Sequence, residues 1–226
     1  MLTIISLSTI TSIRILFLPL YKGKRISKFK RLSEKERKIQ ICNAAKDVFL
    51  KKGFSRSNME DVIEASGMSK GGVYNYYKNL SEIMYDIMIQ GMEYRFGIVE
   101  ESIKKYKQLS GEDLFVEVLI DKMLDYNEFK PIYAMFMMEI KREDKFKKLY
   151  ERIQNDSIDM LIDFAIENKW EHMTAFSDDF GAALVSSVIL GVEILDSRET
   201  FLNNRKAFRA MIKAYMDYIK EEKKDG

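Results

Sequence analysis

Only two prolines, Pro19 and Pro131, stand in 226 residues. A proline inside a helix costs about 3 kcal/mol, because it lacks the amide donor and its ring meets the preceding turn. Their scarcity leaves nearly the whole chain free to propagate helix, and from Ser33 onward the apolar residues follow the helical period. Ile41, Cys42, Ala45, Val48 and Phe49 fall on one stripe, closed by Lys51, Lys52 and Gly53, with cations in the last turn and glycine at the stop. Leu80, Ile83, Met84, Ile87 and Met88 repeat the period, as do Phe208, Met211, Ile212, Tyr215 and Ile219. After Gly97, helices are expected near 98–107, 112–127, 131–141, 144–168, 178–196 and 200–222. The chain is long enough to bury a core and is expected to be all-α.

Composition removes whole classes of chemistry. Cys42 is the single cysteine and His172 the single histidine, so a disulfide scaffold and an intrachain zinc site of His and Cys are out. Cys42 lies on an apolar stripe and reads as a small core residue. His172 is isolated beside a loop and reads as a surface or capping residue. A lone cysteine fits a reducing cytoplasm. The patterns G-x-S-x-G, H-E-x-x-H and G-x-G-x-x-G do not occur. No catalytic residue, metal ligand or cofactor is assigned, and an enzyme is not expected; a carboxylate enzyme on a helical scaffold finds no supporting cluster.

The formal net charge of +2 conceals an asymmetry. Residues 1–78 carry sixteen Lys/Arg and six Asp/Glu, whereas 79–226 carry twenty-one and twenty-nine. The densest basic run is 21–38, with nine cations and two carboxylates. A basic end on an acidic remainder suits a polyanionic partner; a solvated arm is the plainer reading. Residues 2–20 are apolar with interspersed Ser and Thr, yet short of a spanning helix, and their positive charge follows rather than precedes them, unlike a signal peptide. They read as an extension, as a start taken too far upstream (the next methionine is Met59), or, last, as a membrane anchor. The anchor reading leads to an alternative function, a helical membrane-associated interaction protein held by residues 2–20 and the basic run.

The strongest local pattern lies between Ser57 and Lys78. Ser57 and Glu60 fit a capping box opening a short helix from Asn58 to about Ser66. Gly67 breaks it, and Ser69 can cap a further helix, S-K-G-G-V-Y-N-Y-Y, over 69–77. Two short helices about a tight glycine turn, packed on a longer one, make a helix-turn-helix, with the motif at 58–77. A recognition helix presents its first turn to base edges and phosphates. Lys70 can reach either, Gly71 and Gly72 allow close backbone approach, and Tyr74, Asn75 and Tyr76 offer hydroxyl and amide groups. Val73 and Tyr77 are expected to face inward.

A-A-x-x-V-F-x-x-x-G-F at 44–54, S-x-M-x-D-V at 57–62 and A-S-G-M-S-K-G-G-V-Y-N-Y-Y-K at 65–78 together resemble the TetR family of bacterial transcription regulators. The resemblance covers about 45 residues well. It implies an N-terminal three-helix DNA-binding domain joined to a C-terminal helical domain for ligand binding and dimerisation. The corresponding ranges are 33–95 and 96–226, after an extension over 1–32. It implies a backbone contact from Tyr74, an aromatic core residue at Tyr77, and further DNA neighbours at Ser57, Asn58, Ser69 and Lys78. The chain departs from the family at Leu80, where lysine is common, and at Gly72, where threonine is common.

The resemblance also implies a homodimeric repressor, released from a pseudo-palindromic double-stranded operator by a small molecule. Independently, the 178–196 segment is apolar on most sides, with a stripe of Phe180, Leu184, Val188, Val192 and Leu195. Paired with 200–222 across a two-fold axis it would make a four-helix interface. Phe115, Met123, Tyr126, Met135, Met138, Met160 and Trp170 are the expected lining of a cavity for an apolar or aromatic effector; ordinary core is the plainer reading.

Overall fold

The computed structural model describes residues 33–109, 111–142, 144–167 and 179–225, the last part of each of the two final ranges (from 157 and from 222) by backbone alone. Every regular element among them is a helix. The chain divides at Glu36 into two units. Of the first, Ser33 caps the first described helix by accepting from the Glu36 amide, and the Glu36 carboxylate accepts from the Ser33 amide at 2.6 Å. The segments 2–20 and 21–32 lie outside the described residues. No described helix is long and apolar enough to cross a membrane.

The helix-turn-helix region holds α1 (Glu34–Lys52), a 3-10 turn (Phe54–Arg56), α2 (Met59–Ser66) and α3 (Lys70–Tyr74). Next comes α4 (Leu80–Lys105), one continuous helix rather than two parted at Gly97. An interior glycine costs about 1 kcal/mol of propensity. Packing carries α4 through it, since Val99 and Ser102 beyond it are buried. There follow α5 (Gly111–Leu124), α6 (Phe129–Ile140), α7 (Asp144–Glu167) and α8 (Asp179–Ile194). The expected last helix is two, α9 (Arg198–Asn203) and α10 (Arg205–Asp225), parted at Asn204. Pro131 sits in the first turn of α6, where its missing donor has no partner to lose.

Residues 37–226 form one compact unit. One buried cluster joins Ile41, Phe49, Val62, Val73, Tyr77 and Ile87 to Ile132 and Phe136 of α6 and to Phe146 and Ile153 of α7. Edge-on aromatic contacts run through it, from Phe49 to Phe54 (5.1 Å between centroids), Phe54 to Phe146 (5.4 Å) and Phe146 to Phe136 (6.1 Å). A second cluster packs α5 on α8 and α10 through Phe115, Ile120, Val185, Ile189, Phe208 and Ile212. A row of ion pairs flanks it. Arg205 reaches Glu117 and Asp121, each at 2.7 Å, and Arg209 reaches Asp113 at 2.6 Å.

Candidate nucleic-acid interface and effector cavity

The turn between α2 and α3 is set by local chemistry. Gly67 takes the left-handed conformation, φ +65°, which L side chains rarely adopt. Ser69 caps α3, its hydroxyl oxygen accepting from the Gly72 amide at 3.1 Å. The capping box of α2 differs from expectation by one residue. Asn58 is the N-cap and accepts from the Asp61 amide at 3.0 Å, while the Asp61 carboxylate accepts from the Asn58 amide at 2.8 Å. Ser57 instead donates its hydroxyl to the Gly53 carbonyl at 2.7 Å. Asparagine caps at least as well as serine, so the frames S-N-M-E and N-M-E-D competed, and Ser57 was claimed by the turn before.

The helix α3 is shorter than the expected 69–77, and Asn75 and Tyr76 continue it as a turn. Val73 and Tyr77 are buried, as their spacing required. Tyr77 donates to Asp86 at 2.7 Å and lies 3.4 Å from the Cys42 sulfur. Burial, with those neighbours, pushes its phenol far above the ordinary range, and burial likewise pushes the Cys42 thiol up. Fixing these two inward leaves Ser69, Lys70, Gly71 and Asn75 exposed together, with Tyr74 half-buried beside them. Lys70 pairs with Glu60 at 2.6 Å, both largely exposed, and that hydrogen bond raises its pKa. Lys78 donates to the Tyr74 carbonyl at 2.6 Å. Tyr76 packs partly against the core.

The two glycines of α3 part company. A Cβ on Gly71 would meet nothing within 4 Å. One on Gly72 would stand 3.1 Å from the Ser69 hydroxyl and 3.4 Å from Met68. Gly72 therefore clears the helix cap, and Gly71 alone offers bare backbone outward.

A cavity of about 30 Å³, room for one or two waters, opens where α4, α6, α7 and α8 meet. Met88, Gly91 and Arg95 line it from α4; Asn127, Phe129, Lys130, Tyr133 and Phe136 from α6 and the turn before it; Ile153 and Ile189 from α7 and α8. Gly91 lets α6 approach, since a Cβ there would lie 3.2 Å from the Phe129 ring.

Residues 41–84 match the sequence model of the bacterial regulatory proteins, tetR family. Over that segment the chain is similar to the DNA-binding region of TetR-family regulators. Over 118 residues it is 26% identical to an uncharacterized HTH-type transcriptional regulator, YfiR, of Bacillus subtilis (strain 168). That match spans 52% of this chain and 58% of the relative, so the chain covers little more than half the length of that curated relative. In fold, it superposes on Salmonella enterica GusR with a TM-score of 0.61 at 19% identity, covering 83% of this chain and 100% of that one. A TetR-family transcriptional regulator described from Syntrophomonas wolfei gives 0.56 at 15%, over 80% and 96%.

The TetR-type motif lies where the sequence put it, but none of the described residues expected to line an effector cavity lines this one. Phe115 and Met123 are buried in the α5–α8–α10 core. Tyr126 is 85% exposed, under the Arg198 guanidinium, and Met138 is 57% exposed. Met135 packs against the first core cluster. The Met160 side chain, Trp170 and His172 lie outside the described residues. Two further residues matter that sequence reading passed over. Lys46 of α1 is 4% exposed, pairs with Glu128 and lies 4.6 Å from the centre of the Phe129 ring. Arg95 stands in the cavity wall. A signal for Arg95 was available: Met84, Met88, Gly91 and Arg95 share one face of α4, and a charge on a buried stripe calls for a partner.

Proposed function

We propose that the protein is a ligand-responsive, homodimeric DNA-binding transcriptional regulator acting in the cytoplasm as a repressor. The DNA-binding region falls within 33–95 and the dimerisation and effector region within 96–226. The observation that carries the reading is the inward anchoring of α3. Val73 and Tyr77 hold its far side in the core, which supports Ser69, Lys70, Gly71, Tyr74 and Asn75 as the face offered to the major groove. Lys70 exchanges Glu60 for a phosphate or guanine edge, a swap between two anions that costs little in the exposed setting. Ser57, Asn58, Tyr76 and Lys78 take lesser parts. The cap and turn bonds of Ser57, Asn58 and Lys78 position them, and Gly72 serves the helix cap.

An unburied apolar face supports dimerisation. On α8, Phe180 is 64% exposed and Leu184 lies on the same side, and Met211 of α10 is 69% exposed. The buried face is Val185, Ile189 and Val192, so the stripe expected through Val192 belongs to the monomer core while Phe180 and Leu184 suit a second copy. The test is fluorescence anisotropy at one stated salt concentration, using DNA from upstream of the protein's own gene and scrambled DNA, with Tyr74→Ala alongside. Preferential binding that Tyr74→Ala weakens at least tenfold supports the reading. Equal weak binding of both DNAs, unaffected by Tyr74, refutes groove recognition by α3.

A further inference from the structure

Among the described residues, the charges around the cavity do not balance. Arg95 and Lys130 stand in its wall, with Lys122 near Arg95 and Arg198 near Lys130. Lys130 is paired with Asp125 at 2.6 Å, and Arg198 with Glu193 at 3.0 Å. Among the described residues neither Arg95 nor Lys122 has a carboxylate within ion-pair distance. Asp125 acts on Arg95 only from farther off, and Lys122 feels Arg95 as a like charge. Burial lowers the pKa of both groups, that of Lys122 to about 8. A buried cation without a counter-charge is costly and is ordinarily paired or replaced. Here Arg95, partly buried, stands in a cavity wall that it shares with Met88, Phe129, Phe136, Ile153 and Ile189.

We propose that the effector is an organic carboxylate, its charged group held by the Arg95 fork at the α4 wall and its apolar body directed among the Met88, Phe129 and Ile189 side chains. This rests on the regulator reading and narrows the apolar or aromatic effector expected from sequence to one that also carries a carboxylate. The planar guanidinium pairs a carboxylate through two parallel hydrogen bonds, and Lys122 adds attraction without a contact. The body of such a ligand exceeds the present cavity, so binding selects a conformation in which α4 and α6 stand farther apart.

The test is thermal denaturation of the full chain with octanoate against 1-octanol and 4-phenylbutyrate against 4-phenyl-1-butanol. A ligand at tenfold its Kd raises the melting temperature of a chain this size by about 3 °C. The expected result is that shift with at least one acid, less than a third of it with the matching alcohol, and its loss in Arg95→Gln. Equal shifts with acid and alcohol, no shift with either acid, or a shift that survives Arg95→Gln each overturn the proposal. Should Arg95→Gln fail to fold, Arg95→Lys is read in its place, with at least a fivefold weaker response expected because the fork is lost. Anisotropy without any probe, on wild type and variant, keeps the two readings apart. DNA binding intact in both with no acid response refutes the carboxylate alone, whereas loss of DNA recognition in wild type refutes the regulator.

Discussion

Replacing Glu128 by glutamine isolates the junction between α1 and the cavity wall. Lys46 is 4% exposed, and its ammonium rests between the Glu128 carboxylate and the Phe129 ring. Glu128→Gln keeps the shape and removes the counter-charge. Breaking a fully buried pair by removing one partner costs about 3–5 kcal/mol. The Glu128 side chain is 52% exposed, so water screens roughly half of that attraction, and the ring retains about 0.5–1 kcal/mol of hold on the ammonium. The net expectation is a loss of about 1–2 kcal/mol, or about 3–6 °C in melting temperature for a chain of this length. Lys46→Met removes the stranded charge as well, so the double variant Lys46→Met/Glu128→Gln should recover at least half the loss. Paired urea and thermal denaturation of the four proteins closes the cycle. A neutral Glu128→Gln, or a double variant no better than the single, would show that Lys46 is already satisfied by solvent and refute the argument.

Gly67→Ala forces a Cβ into the left-handed region at the turn before α3; about 1 kcal/mol of stability should go, and DNA affinity should fall further because α3 is re-aimed. Asp121 is held below the usual carboxylate range although its burial works the other way, because Lys105 and Arg205 outweigh it. Its contribution is therefore complete above the unfolded value of about 4 and lost as pH falls through the lower folded one, and acid titration of stability should flatten in Asp121→Asn. Burial first, then the Arg95 charge, holds Lys122 down to about 8, so between that pH and the unfolded value of about 10.4 the unfolded chain binds more protons and stability rises with pH. Lys122→Met should abolish that rise in denaturation midpoints. Leu184→Glu should abolish the proposed dimer in sedimentation equilibrium with melting of the monomer core unchanged.

What the sequence disclosed follows from how local each feature is. The turn at Gly67, the cap at Ser69 and the inward pair Val73 and Tyr77 depend on neighbours within a few residues, so spacing sufficed. The α2 cap slipped by one because two overlapping frames satisfy the same rule and only the bond from Ser57 back to Gly53 decides between them. The α4 boundary was misread at Gly97 because propensity there is overridden by burial of Val99 and Ser102 farther along. The cavity was illegible for a different reason. Segment 131–138 is apolar on nearly every side, so periodicity could not tell Phe136, which reaches the cavity, from Met138, which faces outward. The crossing of α4 and α6 at Gly91 and Phe129 makes that choice, and no local pattern encodes it.

The position of the cavity bears on how an effector could reach DNA. Met88, Phe136 and Ile153 line it and also belong to the cluster that holds Val73 and Tyr77. On one face of α4, Met84 packs in that cluster while Arg95 stands in the cavity, and Lys46 ties α1 to the residue beside Phe129. A ligand body larger than one or two waters cannot enter without moving a lining side chain such as Phe129, which sits too close to Gly91 to admit even a Cβ there. Close-packed side chains transmit such a shift because they have few intermediate arrangements. The displacement therefore falls on the same residues that fix the angle of α3. How far it lowers DNA affinity is bounded by how much better the effector binds the opened arrangement than the closed one. A carboxylate gained by Arg95, which among the described residues has none within ion-pair distance, enlarges that difference.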